Sequence, residues 1–183
     1  KIRLLNAGLQ EFFPDAAELA EEVATMKEKG KLEGDLDEDE FKEKKKLYEK
    51  VQGLTEDNPR LGNRGARLAI ANQDLLRIQI RAIANAACTA KENEQDPQIE
   101  VIIPFVCSEN ELAKIKPIVE KIVADTMKER EQTKVSIKFG CSIELPRAAM
   151  IADRLASFSD SLVIDTNSLT QLSFGLTKED AEK

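Results

Sequence analysis

The side chains able to do chemistry in this sequence are oxygen-rich or guanidinium groups, spread over separate loops. Arg64 and Arg67 suit a phosphate or a carboxylate, which a guanidinium fork grips through paired hydrogen bonds. Glu144, together with Asp165 or Asn167, offers the oxygen ligands that a hard divalent cation takes. Plainer readings stand beside these: surface ion pairs for the arginines, and an exposed side chain ahead of Pro146 for Glu144. The 183 residues contain no histidine, which excludes His-ligated zinc, a Ser-His-Asp triad and a phosphohistidine carrier within the chain. Cys88, Cys107 and Cys141 lie far apart and are odd in number. A fully paired disulfide framework is thereby excluded, and a reducing compartment, cytoplasm or organelle matrix, is expected.

Whether those groups meet depends on the elements that carry them. Residues 1–5 read as a short buried strand, and Gly8 to Pro14 as an irregular loop. Asp15 is a plausible N-cap for a helix to Lys29, which Gly30 and Gly34 then interrupt. From Asp35 a run that begins acidic and ends basic suits the helix dipole, and residues 28–54 read as a charged helical insert with a thin apolar stripe. The loop from Thr55 to Gly65 carries Asn58-Pro59 and precedes a helix over Gln73–Lys91, where Leu76, Ile80, Ile83 and Ala87 share one face. Ile99–Ile103 reads as a buried strand. Ser108 to Glu111 forms a capping box for a helix in which Pro117 predicts a kink or an early break. Val135–Phe139 alternates as a strand that stops at Gly140, and Arg147–Ser157 reads as a helix. Ser161–Ile164 is a last strand, followed by a turn and short helix over Thr166–Phe174.

Strands that alternate with helices imply a parallel sheet joined by right-handed crossovers. Four strands are visible, whereas a (β/α) barrel has eight. The expectation is an α/β fold: a partial (β/α)8 TIM-type barrel with about half the strands, residues 1–183 forming a single domain. Ligands of such folds bind beyond the carboxyl ends of the strands, where the loops named above begin. A net charge of −7 argues against a nucleic-acid surface, and no apolar run approaches a membrane span.

Several segments match the wording of a known family in its own order. Ile2-Arg3-Leu4-Leu5 running on to Leu9-Gln10-Glu11-Phe12 resembles the IRLLDPPLHEF segment of pyruvate phosphate dikinase. Asn58 to Leu68 resembles its NPMLGHRGCRL loop, Ile80-Arg81-Ala82-Ile83 its QVRAI helix, and Val101 to Pro104 its IMIP strand. Ser142 to Ala149 resembles MIEVPRAA, and Thr166 to Gln171 with Phe174-Gly175 resembles GTNDLTQ…FG. The resemblance implies the phosphoenolpyruvate/pyruvate-binding barrel of a magnesium-dependent phosphotransferase, whose phosphoryl group arrives from a phosphohistidine on a separate domain charged by ATP. It implies Arg64 as a catalytic contact to the phosphoryl group or enolate oxygen. Arg67, Thr166 and Asn167 would join Arg64 in binding substrate, and Glu144 would be a Mg2+ ligand.

The departures are as informative as the matches. Ser168 stands where the family has its second metal-binding carboxylate, so a neutral and weaker ligand is expected there. Asp165 replaces the glycine before the threonine; it is a further candidate ligand, but aimed differently from the lost carboxylate. Asn63 replaces a histidine, and no cysteine occupies the place of the family's acid/base cysteine. The chain is thus expected to be part of a dikinase barrel that is not competent alone. It would rely on the rest of the barrel and on the phosphohistidine and ATP-binding domains, or on a protein covering its exposed edges. The alternative is a degenerate dikinase-like paralogue with a structural or interaction role.

Overall fold

The computed structural model describes residues 1–33, 37–55, 61–131 and 135–181. Four strands, β1 (Ile2–Arg3), β2 (Ile99–Ile103), β3 (Ile137–Ile143) and β4 (Ser161–Ile164), pair in parallel and in sequence order. Consecutive strands that stay neighbours, all in one direction, are the topology of a barrel rather than of a doubly wound sheet, whose order reverses. Their register sorts the residues onto two faces. Val101, Ile103, Phe139, Cys141, Ile143 and Leu162 point one way, and pack with the helices in a single apolar core. The other face carries Arg3, Glu100, Ile102, Lys138, Gly140, Ser142, Ser161 and Val163. Helices packed on the apolar face, and a mostly polar second face, make this an α/β portion of a TIM-type barrel.

Nearest the sheet in sequence lie α3 (Gly65–Ala71), α4 (Gln73–Glu92), α5 (Glu109–Glu129), α6 (Pro146–Met150), α7 (Ala152–Ala156), α8 (Thr166–Phe174) and α9 (Lys178–Ala181). Leu76 and Ile80 of α4, with Leu112 and Ile115 of α5, are fully buried against the strands. The Ser108 capping box opens α5, where the Ser108 side chain accepts from the Asn110 N–H and the Glu111 carboxylate accepts from the Ser108 N–H. The helix runs through Pro117 without the expected break. Ala113, whose carbonyl loses its donor there, is exposed, so water can replace the missing bond.

Contacts divide the chain into two compact units, Lys1–Asn6 with Arg64–Lys183, and Ala7–Asn63. The second contains a 3-10 helix (Leu9–Phe12), α1 (Ala16–Glu33) and α2 (Glu38–Leu54), and spans the charged 28–54 stretch. Asp37 caps α2 by accepting from the Asp39 and Glu40 N–H groups, and Lys44 pairs with Glu22 at 2.8 Å across the two helices. Leu19 and Val51 are its buried apolar residues. Gly30 lies inside α1 and does not end it; the good helix formers around it outweigh a cost of about 1 kcal/mol. Gly34 and Leu36 lie outside the described residues.

Several expected boundaries change. Only Ile2 and Arg3 pair in β1, and both are exposed; burial begins at Leu4. Residues 65–71 form a helix, α3, that the glycines concealed. The segment Arg147–Ser157 is two short helices joined at Ile151, still bonded across the joint by Ile151 N–H to Arg147 O and Leu155 N–H to Ile151 O. Most instructive is Gly140, expected to stop a strand that in fact continues to Ile143. A Cβ there would lie 2.7 Å from Ile102 Cδ1 and 2.8 Å from Ser161 Oγ. The bare position lets the Ser161 hydroxyl, on β4, donate across β3 to the Glu100 carboxylate on β2, which also pairs with Lys1 at 3.2 Å. At the other end of this face Arg3 of β1 comes within 4.0 Å of Asp165, just after β4. Three strand spacings, about 14 Å in a flat sheet, separate those two edges. Two side chains reach towards each other across that span, an approach that the curvature of a barrel favours.

Gly140→Ala should cost about 1–3 kcal/mol in urea unfolding, because Ser161 O stands 3.0 Å from the new Cβ and cannot withdraw as a side-chain tip can. Burial holds the Cys141 thiol above its ordinary range, with a hydrogen bond from Ser159 acting the other way. Alkylation of the native protein should then mark Cys107 and spare the buried Cys88 and Cys141. A thiol raised on folding favours the protonated form, so this contribution to stability is complete below about pH 8 and falls as pH rises past the ordinary thiol value.

Candidate functional site

The carboxyl ends of the four parallel strands form one rim, and each sends a different group onto it. Asn6 follows β1, Pro104 and Phe105 follow β2, Glu144 follows β3, and Asp165 follows β4. Glu144 sits at the centre and is only 2% exposed. Its Oε1 accepts from the Phe105 N–H at 3.0 Å, and its Oε2 accepts from the Asn6 amide Nδ2 at 2.9 Å. The exposed reading of Glu144 is overturned: a buried carboxylate persists only when donors satisfy it, and here two strand ends supply them. Asn6 also uses its backbone carbonyl, which accepts from Arg64 Nε at 2.8 Å. Arg64 and Glu144 therefore meet through one residue.

Arg64 and Arg67 share a second neighbour. Their guanidinium carbons stand 5.7 and 5.4 Å from the centre of the Phe105 ring, within cation–π range. Phe105 is held at φ 57°, the left-handed region that a bulky residue rarely adopts, and the Glu144 bond to its N–H fixes it there. Gly65, at φ 53°, makes the close approach possible: a Cβ would strike Pro104 O and lie 2.6 Å from Phe105 Cβ. The Ala66 N–H then donates to Pro104 O at 2.9 Å, fastening α3 to the end of β2. Arg147 adds a bond from Nε to Cys107 O at 3.2 Å. The result places two cationic forks beside one ring, one of them linked through Asn6 to a buried carboxylate, an arrangement able to receive a small anion.

The remaining expected residues form a separate group. Asp165 caps α8: its Oδ1 accepts from the Ser168 N–H and its Oδ2 from the Ser168 hydroxyl, each at 3.1 Å. Thr166 and Asn167 are exposed in the first turn of α8, and Asn167 Oδ1 is turned along the helix to accept from Gln171 Nε2 at 2.8 Å. Residues 58–60 of the glycine-punctuated loop lie outside the described residues.

Two contributors escaped the sequence reading. Arg3 projects onto the concave face, its side chain 55% exposed, beside Asp165. Asn6 is the hinge of the whole cluster. The alternation of Lys1-Ile2-Arg3-Leu4 already carried the signal for Arg3, one side chain in two facing inwards. Asn6 had no such signal, since its importance comes from Glu144, 138 positions away.

The magnesium site expected from the resemblance fares differently. No group of three or more His, Cys, Asp or Glu side chains able to hold a metal occurs among the described residues. Each Glu144 oxygen accepts from one N–H donor, and each Asp165 oxygen accepts from Ser168, whose hydroxyl is itself a donor. With Glu144 buried and Asp165 tied to Ser168, the rim lacks the pair of open carboxylates through which Mg2+ is held alongside substrate phosphates and water.

A family model described as PEP-utilising enzyme, PEP-binding domain, matches residues 2–183. The pyruvate, phosphate dikinase of Giardia intestinalis is 36% identical over 182 residues, covering 100% of this chain and 19% of that protein. That of Entamoeba histolytica is 35% identical over 181 residues, covering 99% of this chain and 20% of the relative. Pyruvate, phosphate dikinase 1, chloroplastic, of Arabidopsis thaliana is 35% identical over 188 residues, covering 100% and 18%. The chain spans about a fifth of the length of the curated relatives it matches.

Glu144→Ala should destabilise the fold by about 3 kcal/mol, since it leaves the Phe105 N–H and the Asn6 amide without an acceptor. Chemical denaturation measures it, and Glu144→Gln, which retains one acceptor, should lose less.

Proposed function

We infer the function from one premise, that the chain belongs to the PEP-utilising enzyme, PEP-binding domain family. Its role is to hold phosphoenolpyruvate or pyruvate at the strand-end rim within a pyruvate, phosphate dikinase, during phosphoryl transfer between a phosphohistidine and the enolate oxygen of pyruvate. The observation that carries this reading is the convergence of Arg64 and Glu144 on Asn6, with Arg67 beside the same Phe105 ring. Phosphoryl transfer asks a protein mainly for position and for charge to meet charge. Guanidinium groups at a rim walled by Phe105 supply both to a ligand carrying a carboxylate and a phosphate. Arg64 is the catalytic residue, placed to meet the phosphoryl group or the developing enolate; Arg67 steadies the ligand, and Thr166 and Asn167 line the approach from α8.

Much of the reaction lies outside this chain. With no histidine, these residues cannot be the phosphoryl donor, so phosphohistidine and ATP-binding domains are its partners. The chain is not competent alone. A reducing compartment suits its three free cysteines, and among the described residues no helix is long and apolar enough to cross a membrane. Residues 1–183 act as one functional domain, with 28–54 a charged insert that takes no part in binding.

Calorimetric titration with phosphoenolpyruvate tests the reading. Saturable binding is expected, weakened about tenfold or more by Arg64→Ala and by less in Arg67→Ala. Arg64→Lys should recover little, because a point charge does not replace a fork. Absence of binding by the wild type, or wild-type affinity in Arg64→Ala, refutes it.

A further inference from the structure

We propose that this rim takes its anionic ligand without a divalent cation, the Asn6 side-chain amide holding the place against Glu144 that a cation would otherwise hold. The inference rests on the proposed anion site and concerns how that site is balanced electrically. A carboxylate buried to 2% exposure needs positive or donor partners on each oxygen. Here both are neutral N–H donors, the Phe105 backbone on Oε1 and the Asn6 amide on Oε2. At that burial the carboxylate offers almost no surface to an ion that arrives with its own shell of water.

The other acidic group at the rim is equally committed. Asp165 is the cap of α8, with its oxygens taken by the Ser168 N–H and hydroxyl. Those two bonds turn Ser168 into a donor facing a carboxylate, the reverse of what a metal ligand must present. The charge partner of Asp165 is Arg3, at 4.0 Å. Two buried oxygens lack a hydrogen-bond partner among the described residues, both of them amide carbonyls: Asn6 Oδ1 beside Glu144, and Gln171 Oε1 on α8. A neutral carbonyl oxygen of this kind accommodates one ordered water, whereas Mg2+ demands an octahedron of oxygens with anionic charge among them. The cations of this site are guanidinium groups that belong to the chain.

The test uses Mn2+ and Mg2+ as probes. Electron paramagnetic resonance titration of the wild type with Mn2+, with and without phosphoenolpyruvate, should show no saturable site. Phosphoenolpyruvate affinity should agree within about twofold in EDTA and in excess Mg2+. Asn6→Asp sets a second carboxylate against Glu144, and the folded variant should gain a Mn2+ site together with a melting temperature that rises on adding Mg2+. Stoichiometric Mn2+ binding by the wild type, abolished in Glu144→Gln, overturns the proposal; so does phosphoenolpyruvate binding that requires Mg2+. A wild type that binds phosphoenolpyruvate in neither condition refutes the anion site instead, and the Mn2+ titration without ligand still decides the question of the metal.

Discussion

A single buried carboxylate organises the rim. Glu144 reaches from the end of β3 to the backbone of Phe105, after β2, and to the side chain of Asn6, after β1. Three strand ends that share no covalent neighbour are thereby fixed relative to one another. The bond to Phe105 also holds a strained backbone, and that strain turns the ring to lie beneath Arg64 and Arg67. Charge placement at the surface thus descends from an interaction inside. This is how preorganised sites are generally held: the groups that meet the ligand are locked by others that never touch it.

The barrel-type architecture was legible because parallel α/β folds repeat a simple rhythm of apolar strand and amphipathic helix. Ile99–Ile103 and Ser161–Ile164 have the bounds that their apolar runs imply, and the Ser108 box opens a helix as its spacing requires. Punctuation residues misled. Gly30 and Pro117 each read as interruptions, yet both sit within continuous helices, since neighbouring residues or solvent absorb the local cost. Gly140 misled for another reason: it answers to side chains on two other strands, which no local window contains.

The site was legible in its residue types but not in its wiring. Arg64 and Glu144 were identifiable, and the rim that joins them follows from parallel strands. Their shared partner, Asn6, was not, because hydrogen bonds over separations of 58 and 138 residues leave no periodic trace. Asp165 and Ser168 show the limit most clearly. Considered singly, each is a possible metal ligand; together, three residues apart at a helix start, they satisfy each other as a cap.

The gap at Gly140 reaches beyond its own strand. Barrel interiors are usually filled by tiers of branched aliphatic side chains, whose cohesion grows from displaced water. On this concave face the tier is replaced by Lys1, Glu100 and Ser161 tied together, with Arg3 and Asp165 completing the span between outer strands. Such a face is held by electrostatic attraction in a partly wet, moderately polarisable medium, so ionic strength can loosen its curvature while the greasy helical side stays intact. The bend of the sheet and the bulk of its cohesion answer to different solvents.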